Sequence, residues 1–583
     1  MQYLNKINSP KDIKQLSTQE LEGLSEEMRT AILNRVSHLG GHVGPNLGMV
    51  EAIIALHYVF ESPKDKIVFD VSHQCYAHKL LTGRKEAFLD PSKFYEYSGY
   101  TNPAESEHDF FVVGHTSTSV SLACGLAKAR DLKKEKHNVI AVIGDGSLSG
   151  GEALEGFSNA AVLGSNMIIV VNDNEMSIAE NHGGLYNNLR LLRETNGEAE
   201  CNMFKALGFE YRYVAKGNDI EELIKTFKEV KDISRPIVVH IHTLKGKGYA
   251  FAEENKEKWP RNLPCDHTSG QNTLKFDGES YGDITAEYLI SKVEKDKDVV
   301  VLMAGTPGAV GLYPERRAKL GENYIDVGIA EEHAVAMSSA LAKGGCKPVY
   351  LVMSSFSQRT YDQLSQDLAI NNNPAVILVF NGGISGMDAT HLGCFDLPMM
   401  SNIPNLVCLS PTSKEEYLKM LDWGIEQKEY PVVIRVPRDV ISDNQPQPKA
   451  EEFLNRYEVA NKGSKVAVLG LGNFFKQGQE TVKVLAKEGI SATLINPRFY
   501  NKLDEETLVS LKENHQLVVT LEDCVLDGGW GEKIARFYGN SNVKVLCYGA
   551  KKEFVDRVPV EELYKRYRLK PEMIVEDILK IIK

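Results

Sequence analysis

Two short polar segments carry residue types able to do chemistry together. Gly144-Asp145-Gly146-Ser147-Leu148-Ser149-Gly150-Gly151 follows directly on the apolar run NVIAVI, and farther along the run NMIIVV ends in Asn172-Asp173-Asn174-Glu175. A hard cation such as Mg2+ takes oxygen ligands in an octahedron and is commonly held by one or two carboxylates together with ligand phosphates. Asp145 and the amide oxygen of Asn174 supply such oxygens. Gly144 and Gly146 let the backbone approach a bound anion, and the start of the helix that follows favours negative charge. A lone GDG reads more readily as a strand-to-helix turn with a capping aspartate. The second segment at this interval favours a metal ion bridging a diphosphate.

Other groups suit proton transfer. His42 (GGHVGPNLG), His73 and His78 (DVSHQCYAHK), His115 (VVGHTSTS), His242 (HIHTLKGKG), His267 (CDHTSG) and His391 (MDATHLG) mostly sit in loops rich in glycine or serine. An imidazole titrates near neutrality and suits proton transfer or contacts with hydroxyl and phosphate groups, although any one histidine is as often an ordinary surface or core group. Glu331, with Glu332 and His333 beside it in YIDVGIAEEHAVAMSSALA, lies at a strand–helix junction. Taken alone it reads as a first-turn acid complementing the helix dipole.

The elements that must position these groups are legible from periodicity. KIVFDV, NVIAVIGDG, NMIIVVNDN, PIVVHIHT, VVVLMAG, PVYLVM, AVILVF, LVCLSP and PVVIRVP alternate with amphipathic segments, and VAVLGLG, SATLINP, LVVTLED and VKVLCYG follow. Continuous apolar runs between helical patterns predict parallel strands buried on both faces, hence an α/β fold whose ligands bind at the carboxyl ends of the strands. Polar stretches at Asp266 to Tyr281 and Asp443 to Lys465 read as connections. They divide the chain into three doubly wound α/β domains at 1–275, 276–445 and 455–583.

Composition bounds the function. A chain of 583 residues with 43% hydrophobic and 25% charged residues is an ordinary globular protein too long for one core. The net charge of -12 disfavours nucleic acid and anionic membranes, both of which require clustered cations. Nine scattered cysteines without a CxxC pair disfavour a disulfide framework and a zinc site. No apolar leader opens the sequence and no run reaches the ~20 residues that span a bilayer, so a soluble, cytoplasmic enzyme is expected.

GDG and NDN in this order and context resemble the signature of enzymes that use thiamine diphosphate with Mg2+. That cofactor needs a carboxyl hydrogen-bonded to its aminopyrimidine, which makes a catalytic role for Glu331 preferable to a capping one. GGHVGPNLGMVEAIIALHYVFESPKDKIVFDVSHQCYAHKLLTGR, GHTSTSVSLACGLAKARD, GDGSLSGGEALEGFSNA, NDNEMSIAENHGGL, KGKGYAFAE, DVGIAEEHA, SSFSQRTYDQLSQD and VIRVPRD together resemble the 1-deoxy-D-xylulose-5-phosphate synthases, over nearly the whole chain. The resemblance implies a transketolase-like fold, a homodimer, and condensation of decarboxylated pyruvate with D-glyceraldehyde 3-phosphate, serving isoprenoid and thiamine precursors. Residue by residue it implies Asp145, Asn174 and the Met176 backbone at the metal. Ser117, Lys245, Gly144, Gly146 and Ser147 would lie at the diphosphate, with Phe356 stacked on the aminopyrimidine and Glu331 activating the cofactor. His42, His73, His115 and His267 would surround the reacting carbons. Asp388 and His391 would complete the pocket, and Arg359 and Arg438 would reach the acceptor.

Three departures from the family pattern fall at the acceptor end. Asn381, in FNGGISGMD, replaces an arginine; Met353 replaces a tyrosine; and the stretch after NHGGLYNNLRLLRE runs quickly into MFKALGFEYRYV where family members insert a long loop. Each lost phosphate or hydroxyl contact is worth ~1.5–3 kcal/mol. A different aldehyde acceptor therefore stays open, and GHVGPNLG with the order of domains also suits a transketolase-type ketol transfer. A non-catalytic scaffold is disfavoured by the intact Asp145, Asn174 and Glu331, and a nicotinamide dehydrogenase by GLGNFF, which lacks the GxGxxG spacing.

Overall fold

The computed structural model describes residues 1–257, 259, 264–273, 278–441 and 454–582. They form two compact units, Met1–Asp277 with Gly328–Ala330, and Gly278–Val327 with Glu331–Lys583. The first is built on a parallel sheet of β1 (Lys66–Phe69), β2 (Val139–Gly144), β3 (Met167–Asp173), β4 (Glu210–Val214) and β5 (Pro236–His242), in the order β1-β2-β3-β5-β4. Alternate residues of the central strands enter opposite apolar layers. Ile140, Val142, Ile168 and Val170 pack with helices Thr18–Leu39, Val50–Val59 and Ile220–Val230, while Ala141, Ile143, Ile169 and Val171 pack with helices Ser119–Lys133 and Gly151–Ala161. Burial on both faces explains why these strands read as unbroken apolar runs.

The elements missing from the sequence reading are edges and hairpins. In β4, exposed Glu210 and Arg212 alternate with buried Tyr211 and Val214 or half-buried Tyr213, so no apolar run marks it. The first polar stretch is more than a connection, since β6 (Cys265–Asp266) and β7 (Gln271–Asn272) pair as a short antiparallel hairpin; residues 274–277 lie outside the described residues.

The second unit carries two sheets. β8 (Val299–Met303), β9 (Tyr324–Asp326), β10 (Lys347–Met353), β11 (Val376–Phe380), β12 (Val407–Leu409) and β13 (Val432–Arg435) form a six-stranded parallel sheet in the order β12-β13-β11-β10-β8-β9. β14 (Glu458–Asn461), β15 (Lys465–Gly470), β16 (Thr493–Asn496), β17 (His515–Val525) and β18 (Lys544–Ala550) form the other in the order β14-β16-β15-β17-β18, parallel except where β14 pairs antiparallel with β16. Thus the second polar stretch ends in an edge strand; its residues 443–453, and with them the expected boundary at 445, lie outside the described residues, as does the boundary at 275. Among the described residues no helix is long and apolar enough to cross a membrane.

Candidate cofactor and active site

β2 and β3 pair with Gly144 opposite Asn172, so the turns leaving their carboxyl ends start side by side. Asp145 Oδ2 accepts hydrogen bonds from the Met176 N–H at 3.1 Å and from Asn181 Nδ2 at 2.8 Å, and Tyr186 Oη donates to the Asp145 carbonyl at 3.2 Å. Burial and the neighbouring charge of Asp173 push the Asp145 carboxyl up to about 7. A buried carboxyl beside a second acid favours a bound cation. The side-chain oxygen of Asn174 is buried without a hydrogen-bond partner, a condition that costs ~1–3 kcal/mol unless a cation or donor meets it. These two oxygens fit a hard cation that takes its remaining ligands from backbone, water and phosphate.

The cradle for an anion lies alongside. A Cβ at Gly146 would come within 2.7 Å of Ser177 Oγ, and one at Gly150 within 2.1 Å of Ser117 Oγ, so glycine is required for the turn to sit this close. Ser117 has a φ of 76° and is held there by its N–H to Asp70 Oδ1 (2.8 Å) and its Oγ to the Ser147 carbonyl (2.8 Å). Lys245 leaves the end of β5, and its ammonium donates to the Ser177 carbonyl; burial pushes it down to about 8. The donor set and the charges therefore fit a metal-bound diphosphate.

Sequence reasoning missed the supports of this cradle. Asp70, which also accepts from the Ser119 N–H at 2.9 Å, looked like part of an ordinary strand end. Asp173, the middle residue of NDN, accepts from Arg193 Nη1 at 2.6 Å, His240 Nε2 at 2.9 Å and the Glu175 N–H at 3.1 Å, which fixes the turn from behind. An acid between two asparagines carries no signal that separates a ligand from a support.

The histidines divide into groups. His42 and His73 are half-buried with ring centroids 5.2 Å apart, edge to face, and His42 packs 5.6 Å from Tyr100. His115 is half-buried two residues before Ser117, and His267 is exposed on the turn between β6 and β7 with its carbonyl accepting from Tyr249 Oη. His78 is fully buried between His57 and Asp109, and His242 pairs with Glu175 at 3.0 Å, so both serve packing or ion pairing.

In the second unit Glu331 begins the helix Glu331–Lys343 just after β9. Burial pushes its carboxyl up to about 7, against the opposing effect of Arg359, whose Nη1 lies 3.9 Å from Oε2. Oε2 is buried without a hydrogen-bond donor. Phe356, after β10, packs edge to face on His391 at 5.8 Å. His391 Nδ1 lies 3.1 Å from Asp388 Oδ1; burial raises the Asp388 carboxyl, but the bonds from His391 and Thr390 outweigh it and hold the group below the usual range. The structure thus brings Glu331 to Arg359 and joins Phe356, His391 and Asp388. Arg438 is exposed and donates to the carbonyls of Gly383 (2.9 Å) and Ile384, so its guanidinium braces the turn after β11. In that turn Asn381, at φ 57°, donates from Nδ2 to Met353 Sδ at 3.5 Å, so two of the positions that depart from the family pattern touch each other.

Comparison with known proteins places the whole chain. Residues 4–201 and 195–243 match the family model described as 1-deoxy-D-xylulose-5-phosphate synthase, residues 278–442 that of the transketolase pyrimidine binding domain, and residues 455–574 that of the transketolase C-terminal domain. A 1-deoxy-D-xylulose-5-phosphate synthase of Caldanaerobacter subterraneus subsp. tengcongensis is 39% identical over 619 aligned positions, covering 99% of this chain and 98% of its own. One from Clostridium beijerinckii is 36% identical with 100% of both chains covered. A solved transketolase from Leishmania mexicana is 15% identical, with 96% of each chain covered and a TM-score of 0.44.

Proposed function

Because the chain belongs to the 1-deoxy-D-xylulose-5-phosphate synthase family, we propose that it condenses pyruvate, with loss of CO2, with D-glyceraldehyde 3-phosphate to give 1-deoxy-D-xylulose 5-phosphate. Thiamine diphosphate, when bound, supplies the nucleophilic carbon and the electron sink that decarboxylation of pyruvate requires. Asp145, the Asn174 side-chain oxygen and the Met176 backbone hold Mg2+. Gly146, Ser147, Ser117 and Lys245 receive the diphosphate, and Phe356 offers a face for the pyrimidine. Glu331 holds a proton on its carboxyl and hydrogen-bonds the aminopyrimidine; a carboxyl pushed up to about 7 is protonated in part at neutral pH, as that task demands. His42 and His73 move protons at the substrate oxygens, and the Asp388 carboxylate, 3.1 Å from the His391 Nδ1, orients that imidazole. The enzyme works as a cytoplasmic homodimer of three-domain subunits and supplies precursors of isoprenoids and thiamine.

The observation that carries this reading is the buried, partnerless oxygen of Asn174 beside the cation-seeking carboxyl of Asp145. The test is CO2 release from pyruvate with Mg2+ and thiamine diphosphate, with and without glyceraldehyde 3-phosphate. Release from pyruvate without a ketose phosphate excludes the transketolase reaction. The contact between Asn381 and Met353 favours a second reading, in which the donor chemistry is the same and another aldehyde is the preferred acceptor. Rates across phosphorylated and unphosphorylated aldehydes decide between the two.

A further inference from the structure

Asn46 belongs to none of the groups named above, yet it is wholly buried and joins two of them. It lies in the helical turn Gly44–Gly48. Its Nδ2 donates to the carbonyls of His42 and of His73, both at 2.7 Å, and its Oδ1 accepts the Tyr76 N–H at 2.9 Å. A carboxamide has two N–H donors and an acceptor oxygen in one plane, so it can serve two carbonyls and one amide at once; neither a carboxylate nor a hydroxyl can.

What it holds is under strain. Val71 and Ser72, just before His73, have φ of 55° and 59°, and a β-branched residue in the left-handed region is an outlier. Such conformations persist only where the surroundings over-determine them, and they cluster at functional sites. Ser72 is fixed by its Oγ to the Val113 carbonyl (2.7 Å) and from the Thr101 N–H (2.9 Å), and Asn46 fixes the carbonyl of His73 itself. On the other side the Gly44–Gly48 turn is docked on the Lys245 turn, with Gly246 N–H to the Gly44 carbonyl at 3.0 Å and Gly44 N–H to the Trp259 carbonyl at 2.9 Å. Tyr76 closes the ring, its Oη accepting the His42 N–H at 3.4 Å.

We propose that Asn46 is a positioning residue for the His42–His73 pair: it ties the two backbones together and thereby sets the edge-to-face placement of their imidazoles. The proposal rests on the reading that these histidines face substrate, and it assigns Asn46 to substrate proton handling rather than to cofactor retention. Misplacing a reacting group by about 1 Å costs on the order of 100-fold.

The test uses the full-length enzyme with Mg2+ and thiamine diphosphate, as Asn46→Ala and Asn46→Asp. In Asn46→Ala, kcat/KM for pyruvate is expected to fall about 10–100-fold while the cofactor Kd, from a fluorescence titration, changes less than about 3-fold. In Asn46→Asp a carboxylate faces two carbonyls, and only its protonated form donates a hydrogen bond, so the ratio of variant to wild-type kcat/KM should rise as pH falls from 8 to 6. Ring signals of 13C-labelled histidine, assigned with His42→Gln and His73→Gln, should shift their titration together in Asn46→Asp. A lowered Tm with a pH-independent activity ratio and unmoved histidine titrations would overturn the proposal, and the Asn46→Asp measurements decide it if Asn46→Ala fails to fold. Moved titrations in a protein whose wild type releases no CO2 from pyruvate would support the positioning role and reject the substrate reading.

Discussion

Glu331 and Asp145 are two carboxyls that burial makes uncomfortable as anions, and the two have different remedies. Asp145 is relieved by a divalent cation. Chelation should therefore abolish CO2 release, Mg2+ should restore it, and Asp145→Asn should need at least ~10-fold more Mg2+ for half-maximal rate, as read from a metal titration. Glu331 is relieved by keeping its proton. Glu331→Gln should lower kcat by roughly 100-fold or more with cofactor still bound, as measured by turnover and by fluorescence titration. It has a stability signature as well. The unfolded carboxyl titrates near 4.5 and the folded one near 7, so within that window the folded state keeps a proton that the unfolded chain has released. Stability from this group is complete below the lower value, falls as pH rises through the window, and stays low above it. Burial raises Glu522 to about 7 too, so the comparison must be with the variant: Glu331→Gln should gain stability relative to wild type between pH 5 and pH 8, by up to about 3 kcal/mol in urea unfolding.

At the scale of elements, the site depends on turns pressed closer than a side chain permits. Gly150→Ala drives a Cβ into Ser117 Oγ and should cost about 1–3 kcal/mol; Gly150→Ala with Ser117→Gly removes the obstacle and suits the φ of 76° at that position, so it should regain more than half of the lost Tm in calorimetry. This also marks how far the sequence could be read. The strands that aim Asp145 and Asn174 were legible because both faces are buried, leaving runs such as NVIAVI and NMIIVV. β4 was not, because its exposed Glu210 and Arg212 interrupt the buried positions, and β14 was not, because none of its four residues is buried. Site residues were legible where their chemistry is distinctive: an aspartate between glycines, an asparagine closing NDN, an acid opening a helix. Asp70, Asp173 and Asn46 act by hydrogen bonds to segments far away in sequence, which spacing does not encode. Arg438, which the family resemblance puts at the acceptor, also donates to the carbonyls of Gly383 and Ile384, contacts that exist only once the turn after β11 has folded.

Across the molecule, the second unit is cross-braced by charge. Arg435, at the end of β13, donates from Nε to Asp396 Oδ2 at 2.8 Å and from Nη1 to Asp523 on β17, so one guanidinium links the two sheets of this unit. All three groups are buried. Arg435→Leu leaves two carboxylates without their cation and should destabilise the second unit by ~3–5 kcal/mol, seen in calorimetry as a transition separating to lower temperature from that of the first unit. Family membership and the metal-fitting donor set give the donor half of the reaction its support, while the contact of Asn381 with Met353 puts the acceptor half at issue. The most direct test couples the halves: purified protein with Mg2+, thiamine diphosphate, pyruvate and glyceraldehyde 3-phosphate, with CO2 counted and the sugar phosphate identified by mass. One CO2 per molecule of 1-deoxy-D-xylulose 5-phosphate, lost in Glu331→Gln, is the predicted result; absence of CO2 from pyruvate, or ketol transfer from a ketose phosphate in its place, would contradict it.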